Sequence, residues 1–70
     1  MVDKIEEYFL TQANGKIYRS CIDNTERMLI EKALAKTSGN QILAAKLSGV
    51  NRNTLRAKIR RLQIIASRFK

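Results

Sequence analysis

The residues best equipped for chemistry lie in one short run, Asn51-Arg52-Asn53-Thr54-Leu55-Arg56, followed by Lys58, Arg60 and Arg61. Their chemistry is hydrogen bonding and charge neutralisation rather than bond making. An Arg fork can meet the two acceptors of a guanine edge, an Asn amide can pair with adenine, and Thr can meet a thymine methyl or a phosphate. Arg52, Asn53 and Arg56 are therefore the candidates for reading base edges. Thr54, Lys58, Arg60 and Arg61 are better suited to phosphates, as are Asn40, Gln41 and Asn51, which offer amides and free N–H groups.

Charge distribution supports this reading. The chain holds fourteen Lys and Arg against six Asp and Glu. All six acids (Asp3, Glu6, Glu7, Asp23, Glu26, Glu31) precede residue 38, where six cations balance them. From Ser38 to Lys70 there is no acid, and that half carries +8. An asymmetry of this kind fits a densely anionic partner, and nucleic acid comes first. RNA is less favoured, because no aromatics interleave with the basic run. A lipid surface is less favoured still: the apolar side of the basic helix is only Leu55, Ile59 and Leu62. No stretch reaches membrane-spanning length, so no membrane partner is expected.

Composition argues against catalysis. There is no His, and Cys21 and the hydroxyls lack an evident base, so the chain is read as a non-enzyme without cofactor or metal. A lone thiol fits a reducing cytoplasm. Seventy residues form one small core, and with no disulfide available, oligomerisation is the expected stabiliser.

The elements that must position the basic run are all helical. A first helix is expected from about Val2 to Ala13, with Val2, Ile5, Phe9 and Gln12 along one face, Tyr8 beside them, and Asn14-Gly15 as its stop. A second spans about Ile17 to Thr37. Ile22, Leu29, Ile30 and Ala33, widened by Leu34, give it an apolar stripe broader than one short helix can cover. That width predicts a homodimer, with Ile5, Phe9, Ile22, Leu29, Ile30 and Ala33 at the interface; Tyr8, Phe9 and Tyr18 are expected to pack in the core or there. Asn40 caps a third helix, about Gln41 to Ser48, which Gly49 ends. Asn51 caps a fourth, about Arg52 to Leu62, with Val50 and Leu55 placed as a hydrophobic staple. Leu55, Ile59 and Leu62 face inward. Residues 64–70 read either as a continuation of this helix or as a frayed end.

Short helix, Gly turn and capped basic helix make the helix-turn-helix plan, whose second helix can enter the major groove, so double-stranded DNA is the expected partner. The residues Gly39-Asn40-Gln41, Ala44-Ala45 and Gly49-Val50-Asn51-Arg52-Asn53-Thr54-Leu55-Arg56 resemble the Fis-type module, found in the nucleoid protein Fis and at the C-terminus of NtrC-type activators. Ile17-Tyr18 and Glu26-Arg27-Met28-Leu29-Ile30 resemble the NtrC branch. The chain departs from the family at Ile42 and Leu43, where polar or basic residues are common, and at Ala57, where Lys is common.

The resemblance implies an all-α, four-helix protomer. Residues 1–38 dimerise, 39–64 form the DNA-binding unit, and 65–70 are a C-terminal extension of the same compact domain. It also implies transcription regulation at pseudo-palindromic enhancer sites. The parent protein would be a response regulator of a two-component system, acting on RNA polymerase with the nitrogen-type sigma factor. Two alternatives stand beside this: a free-standing Fis-like nucleoid protein that bends DNA, and a dimerisation module with a generic basic surface.

Overall fold

A computed structural model describes residues 4–11 and 15–70, the side chain of Lys4 excepted. Val2, Asp3, Gln12, Ala13 and Asn14, which entered the reading of the first helix and its stop, lie outside the described residues. The described elements are α1 (Lys4–Thr11), α2 (Ile17–Lys36), α3 (Gln41–Ser48), α4 (Arg52–Arg61) and a 3₁₀ turn (Ala66–Phe69). No strand occurs among the described residues.

Three of the helix ends share one device. Ser38, Gly49 and Gln63 each adopt a positive φ, of 54°, 78° and 57°. The next residue then donates its N–H back to a carbonyl in the last turn. These bonds are Gly39 to Leu34 (2.8 Å), Val50 to Ala45 (3.0 Å) and Ile64 to Ile59 (3.0 Å). This six-to-one bond satisfies a carbonyl that has lost its helical partner and reverses the chain sharply. Gly49 adopts this conformation without strain. Ser38 and Gln63 do so against the steric preference of a residue with a Cβ.

The core lies where the last three helices meet. Ile30, Ala33 and Leu34 come from α2, Ala44 and Ala45 from α3, and Leu55 and Ile59 from α4, joined by Leu62 and Ile64. Positions i, i+3 and i+4 on α2 and i, i+4 and i+7 from Leu55 put these side chains on single faces. Leu34 and Leu55 are the largest fully buried side chains. The two alanines of α3 let its backbone come close to α2. Val50 packs against the same core as Leu55, as a staple requires.

Two expectations are corrected here. Ile30 and Ala33 were assigned to a dimer interface, yet they are only 3% and 4% exposed within one protomer. The turn of α2 that carries them is the one α3 and α4 pack upon, so the protomer's own core consumes that part of the stripe. Ile5, Phe9, Ile22 and Leu29 stay exposed, together with Leu10, Tyr18 and Met28. Tyr18 thus lies outside the protomer core, whereas Tyr8 is half-buried. Nor does α4 run on through residues 64–70. Gln63 breaks it, Ile64 turns into the core, and the 3₁₀ turn folds back onto α2 with Phe69 and Ala66 against the apolar centre.

Candidate nucleic-acid interface

The basic helix begins at a built cap. Asn51 has extended backbone (φ −66°, ψ 140°), and its Oδ1 accepts the N–H of Asn53 at 2.7 Å. Asn40 does the same for α3, accepting from the N–H of Leu43 at 3.0 Å. Each cap oxygen satisfies one of the N–H groups that a helix start leaves without a carbonyl. Capping occupies only the carbonyl oxygen of each Asn, so both amide groups keep their donors at an exposed helix start.

With Leu55, Ile59 and Leu62 inward, a period of 3.6 places Asn53, Ala57 and Arg60 opposite the core. Arg52 and Arg56 fall on one flank and Lys58 and Arg61 on the other. Arg52, Asn53, Thr54, Arg56 and Arg60 are all exposed. None of these three arginines forms an ion pair among the described residues. Arg52 and Arg56 border an open cleft of about 440 Å³, also lined by Gly39, Asn40, Gln41 and Ile42 at the start of α3. Ala66, Ser67 and Lys70 of the C-terminal turn complete its lining. No carboxylate side chain lines it.

Lys58 and Arg61, expected at phosphates, are placed differently. Both turn toward α2. Arg61 Nη1 meets Asp23 Oδ1 at 2.8 Å and its Nη2 meets Glu26 Oε1 at 3.0 Å. Lys58 Nζ pairs with Glu26 Oε2, and Arg27 Nη2 donates to the carbonyl of Leu62 at 2.6 Å. This clasp ties the end of α4 to the middle of α2. The hydrogen bond from Arg61, helped by the charges of Arg61, Arg19 and Arg27, holds the Asp23 carboxyl below its ordinary value. The hydrogen bond from Lys58, with the charges of Lys58 and Arg61, does the same for Glu26. Asp23 and Glu26 in turn push the Arg61 guanidinium up.

The structure thus brings Asn40, Gln41, Arg52 and Arg56 around one cleft, leaves Asn53 and Arg60 on the open side of α4 and Thr54 exposed on the flank of Lys58 and Arg61, and gives Lys58 and Arg61 to the protomer. Sequence reasoning passed over Asp23, Glu26 and Arg27. A signal existed: Asp23 and Glu26 are three residues apart on α2, and so are Lys58 and Arg61 on α4. The cleft-lining Ser67 and Lys70 carried no comparable signal.

Comparison with known proteins bears on this geometry. The profile of the family described as "Bacterial regulatory protein, Fis family" matches residues 22–62. The chain is 45% identical over 64 residues to the DNA-binding transcriptional regulator NtrC of Azospirillum brasilense, covering 86% of this chain and 13% of that protein. It is 54% identical over 48 residues to the NtrC of a Bradyrhizobium strain, covering 69% of this chain and 10% of that protein. It is 35% identical over 65 residues to the DNA-binding protein Fis of Buchnera aphidicola, covering 87% of this chain and 66% of that protein. No solved structure gave a significant match.

Proposed function

The chain belongs to the Fis family of bacterial regulatory proteins, and from that premise we propose that it binds duplex DNA sequence-specifically as a homodimer, to regulate transcription. The observation that carries this reading is the outward side of α4: Arg52, Asn53, Arg56 and Arg60 are exposed, the arginines are unpaired among the described residues, and the helix start is fixed by the Asn51 cap. A recognition helix needs that combination, because base contacts require donors that the protein has not already satisfied. In this reading Arg52, Asn53 and Arg56 meet base edges. Asn40, Gln41, Asn51, Thr54 and Arg60 meet the backbone. Lys58 and Arg61 set the angle of α4 instead.

The exposed apolar side chains of α1 and α2 support the dimer. Ile5, Phe9, Ile22 and Leu29 are 51%, 63%, 38% and 53% exposed. Apolar surface on this scale, in a domain this small, favours burial against a second copy. A two-fold dimer presents two α4 helices to half-sites about one helical turn (~34 Å) apart, or brought to that spacing by bending.

The higher identity to the two NtrC proteins supports a DNA-binding unit of an NtrC-type activator. Such a unit serves enhancer sites, with the parent acting in a two-component system on polymerase bearing the nitrogen-type sigma factor. A second reading, a Fis-like DNA-bending protein, draws on the 35% identity to the Buchnera Fis; the chain spans 13% of the length of the Azospirillum NtrC.

Selection from randomised duplexes tests the proposal. A pseudo-palindromic consensus is expected at about 150 mM salt. Substituting Arg52 or Asn53 should relax one base position by about 1–3 kcal/mol. A weak, AT-shaped preference would favour the bending protein. Uniform, salt-sensitive capture of any polyanion would refute specific recognition.

A further inference from the structure

The C-terminal turn lies beyond the part of the chain that matches the family, which ends at residue 62, and it is not a loose tail. Gln63 reverses the chain, Ile64 is only 8% exposed, and Phe69 and Ala66 pack on the core. The turn presses so closely on the α2–α3 corner that only glycine fits beneath it. A Cβ on Gly39 would lie 2.9 Å from the Ala66 carbonyl oxygen and 3.1 Å from Lys70 Cγ, and Gly39 has φ +82°. This packing seats Ser67 and Lys70 in the lining of the cleft that Arg52 and Arg56 also border. The cleft is therefore lined by cations from α4 and from the C-terminal turn, with a serine of that turn, and by no carboxylate side chain. Arg68, one residue from Ser67, is exposed but is not part of the lining.

We propose that the 3₁₀ turn is a third DNA-contacting element, and that Lys70 and Ser67 hold a backbone phosphate in the cleft they share with Arg52 and Arg56. The inference rests on the reading that α4 enters a DNA groove. A helix seated there brings the flanking sugar-phosphate strand over its N-terminal end, where the cleft opens. Lys70 supplies a point charge and Ser67 a neutral donor, a pairing suited to phosphate rather than to a base edge. The phosphate in turn fixes how deeply Arg52 and Arg56 reach.

The test is a salt titration of binding to a random-sequence duplex, with the full chain and the variants Lys70→Ala, Ser67→Ala and Arg68→Ala. Lys70→Ala should weaken every sequence several-fold and lower the salt slope by about 0.9 per protomer. Ser67→Ala should weaken binding without changing the slope, and Arg68→Ala should change neither. Unchanged binding and slope in Lys70→Ala, with clear losses in Arg52→Ala and Arg56→Ala, would overturn the proposal and leave the DNA-binding reading standing. Failure of the unmodified chain to bind any duplex would overturn both. Inorganic phosphate supplies the last arm. If it alone shifts the Lys70 and Gln41 amide resonances as strongly as duplex does, the cleft is a free-anion pocket and the proposal falls.

Discussion

Arg60 and Arg61 are neighbours of identical type, and the structure assigns them opposite work. Arg60 is exposed with no ion-pair partner among the described residues, whereas Arg61 is held between Asp23 and Glu26. Replacing each with Ala separates binding from folding. If Arg60 neutralises one phosphate, its loss lowers the slope of log affinity against log salt by about 0.9 per protomer. Between 50 and 200 mM salt, a fourfold rise, the variant should then lose affinity about 3.5-fold less steeply than the unmodified chain, and about twelvefold less in a dimer. Its thermal midpoint should hardly move, since an exposed substitution away from packed features is usually worth within about 0.5 kcal/mol. Arg61→Ala should reverse the pattern: the salt slope stays and the melting temperature falls.

Acid adds a second readout of the same clasp. Asp23 and Glu26 have carboxyls held below their ordinary values of 3.8 and 4.5 by Arg61 and Lys58. Depressed carboxyls contribute stability that is complete above those ordinary values and is lost as pH falls through the lowered ones. Arg61→Ala should flatten this acid loss, while Arg60→Ala should preserve it. The assays are fluorescence anisotropy with labelled duplex over a salt series, and thermal melts over a pH series. If Arg61→Ala lowered the slope as much as Arg60→Ala and melted normally, Arg61 would be a phosphate ligand and the clasp would have no role in the folded protein.

Core truncation at Leu34 or Leu55, the two largest fully buried side chains, should cost about 2–5 kcal/mol; urea titration by circular dichroism would show it, and a cost under about 1 kcal/mol would contradict the packing. Gln63→Gly should gain up to about 1 kcal/mol, because φ 57° strains a residue with a Cβ. A differential scanning measurement should place its midpoint a few degrees higher, and a lower one would count against the left-handed turn. Asn51→Ala should cost about 1 kcal/mol and fray the start of α4, while Asn51→Asp keeps the acceptor and most of the stability. Amide exchange at Asn53 reports this directly, and equal protection in both variants would deny the cap. Phe9→Glu with Leu29→Glu should leave the Leu34 core intact and abolish self-association in sedimentation; a dimer that persists would move the interface elsewhere.

Local chemistry made much of this protein legible in its sequence. The Asn caps of α3 and α4, the Gly49 turn and the inward spacing of Leu55, Ile59 and Leu62 act within a few residues of themselves, so a linear reading finds them. The acid-free second half is likewise a property of composition. What the sequence left open depends on which surfaces meet. The stripe on α2 is continuous, yet α3 and α4 cover only its second half, so Ile30 and Ala33 are consumed while Ile22 and Leu29 stay open. Lys58 and Arg61 look as free as Arg60 until α2 lies beside them. The acceptors that claim Arg61 are 38 and 35 residues away along the chain. Residues 64–70 carry no helix signal of their own. They fold back only because Phe69 finds a core to cover and Gly39 leaves room for the Ala66 carbonyl. Periodicity fixes which side of a helix is apolar, but only tertiary packing decides how much of that side is covered and which charges are left to meet a ligand.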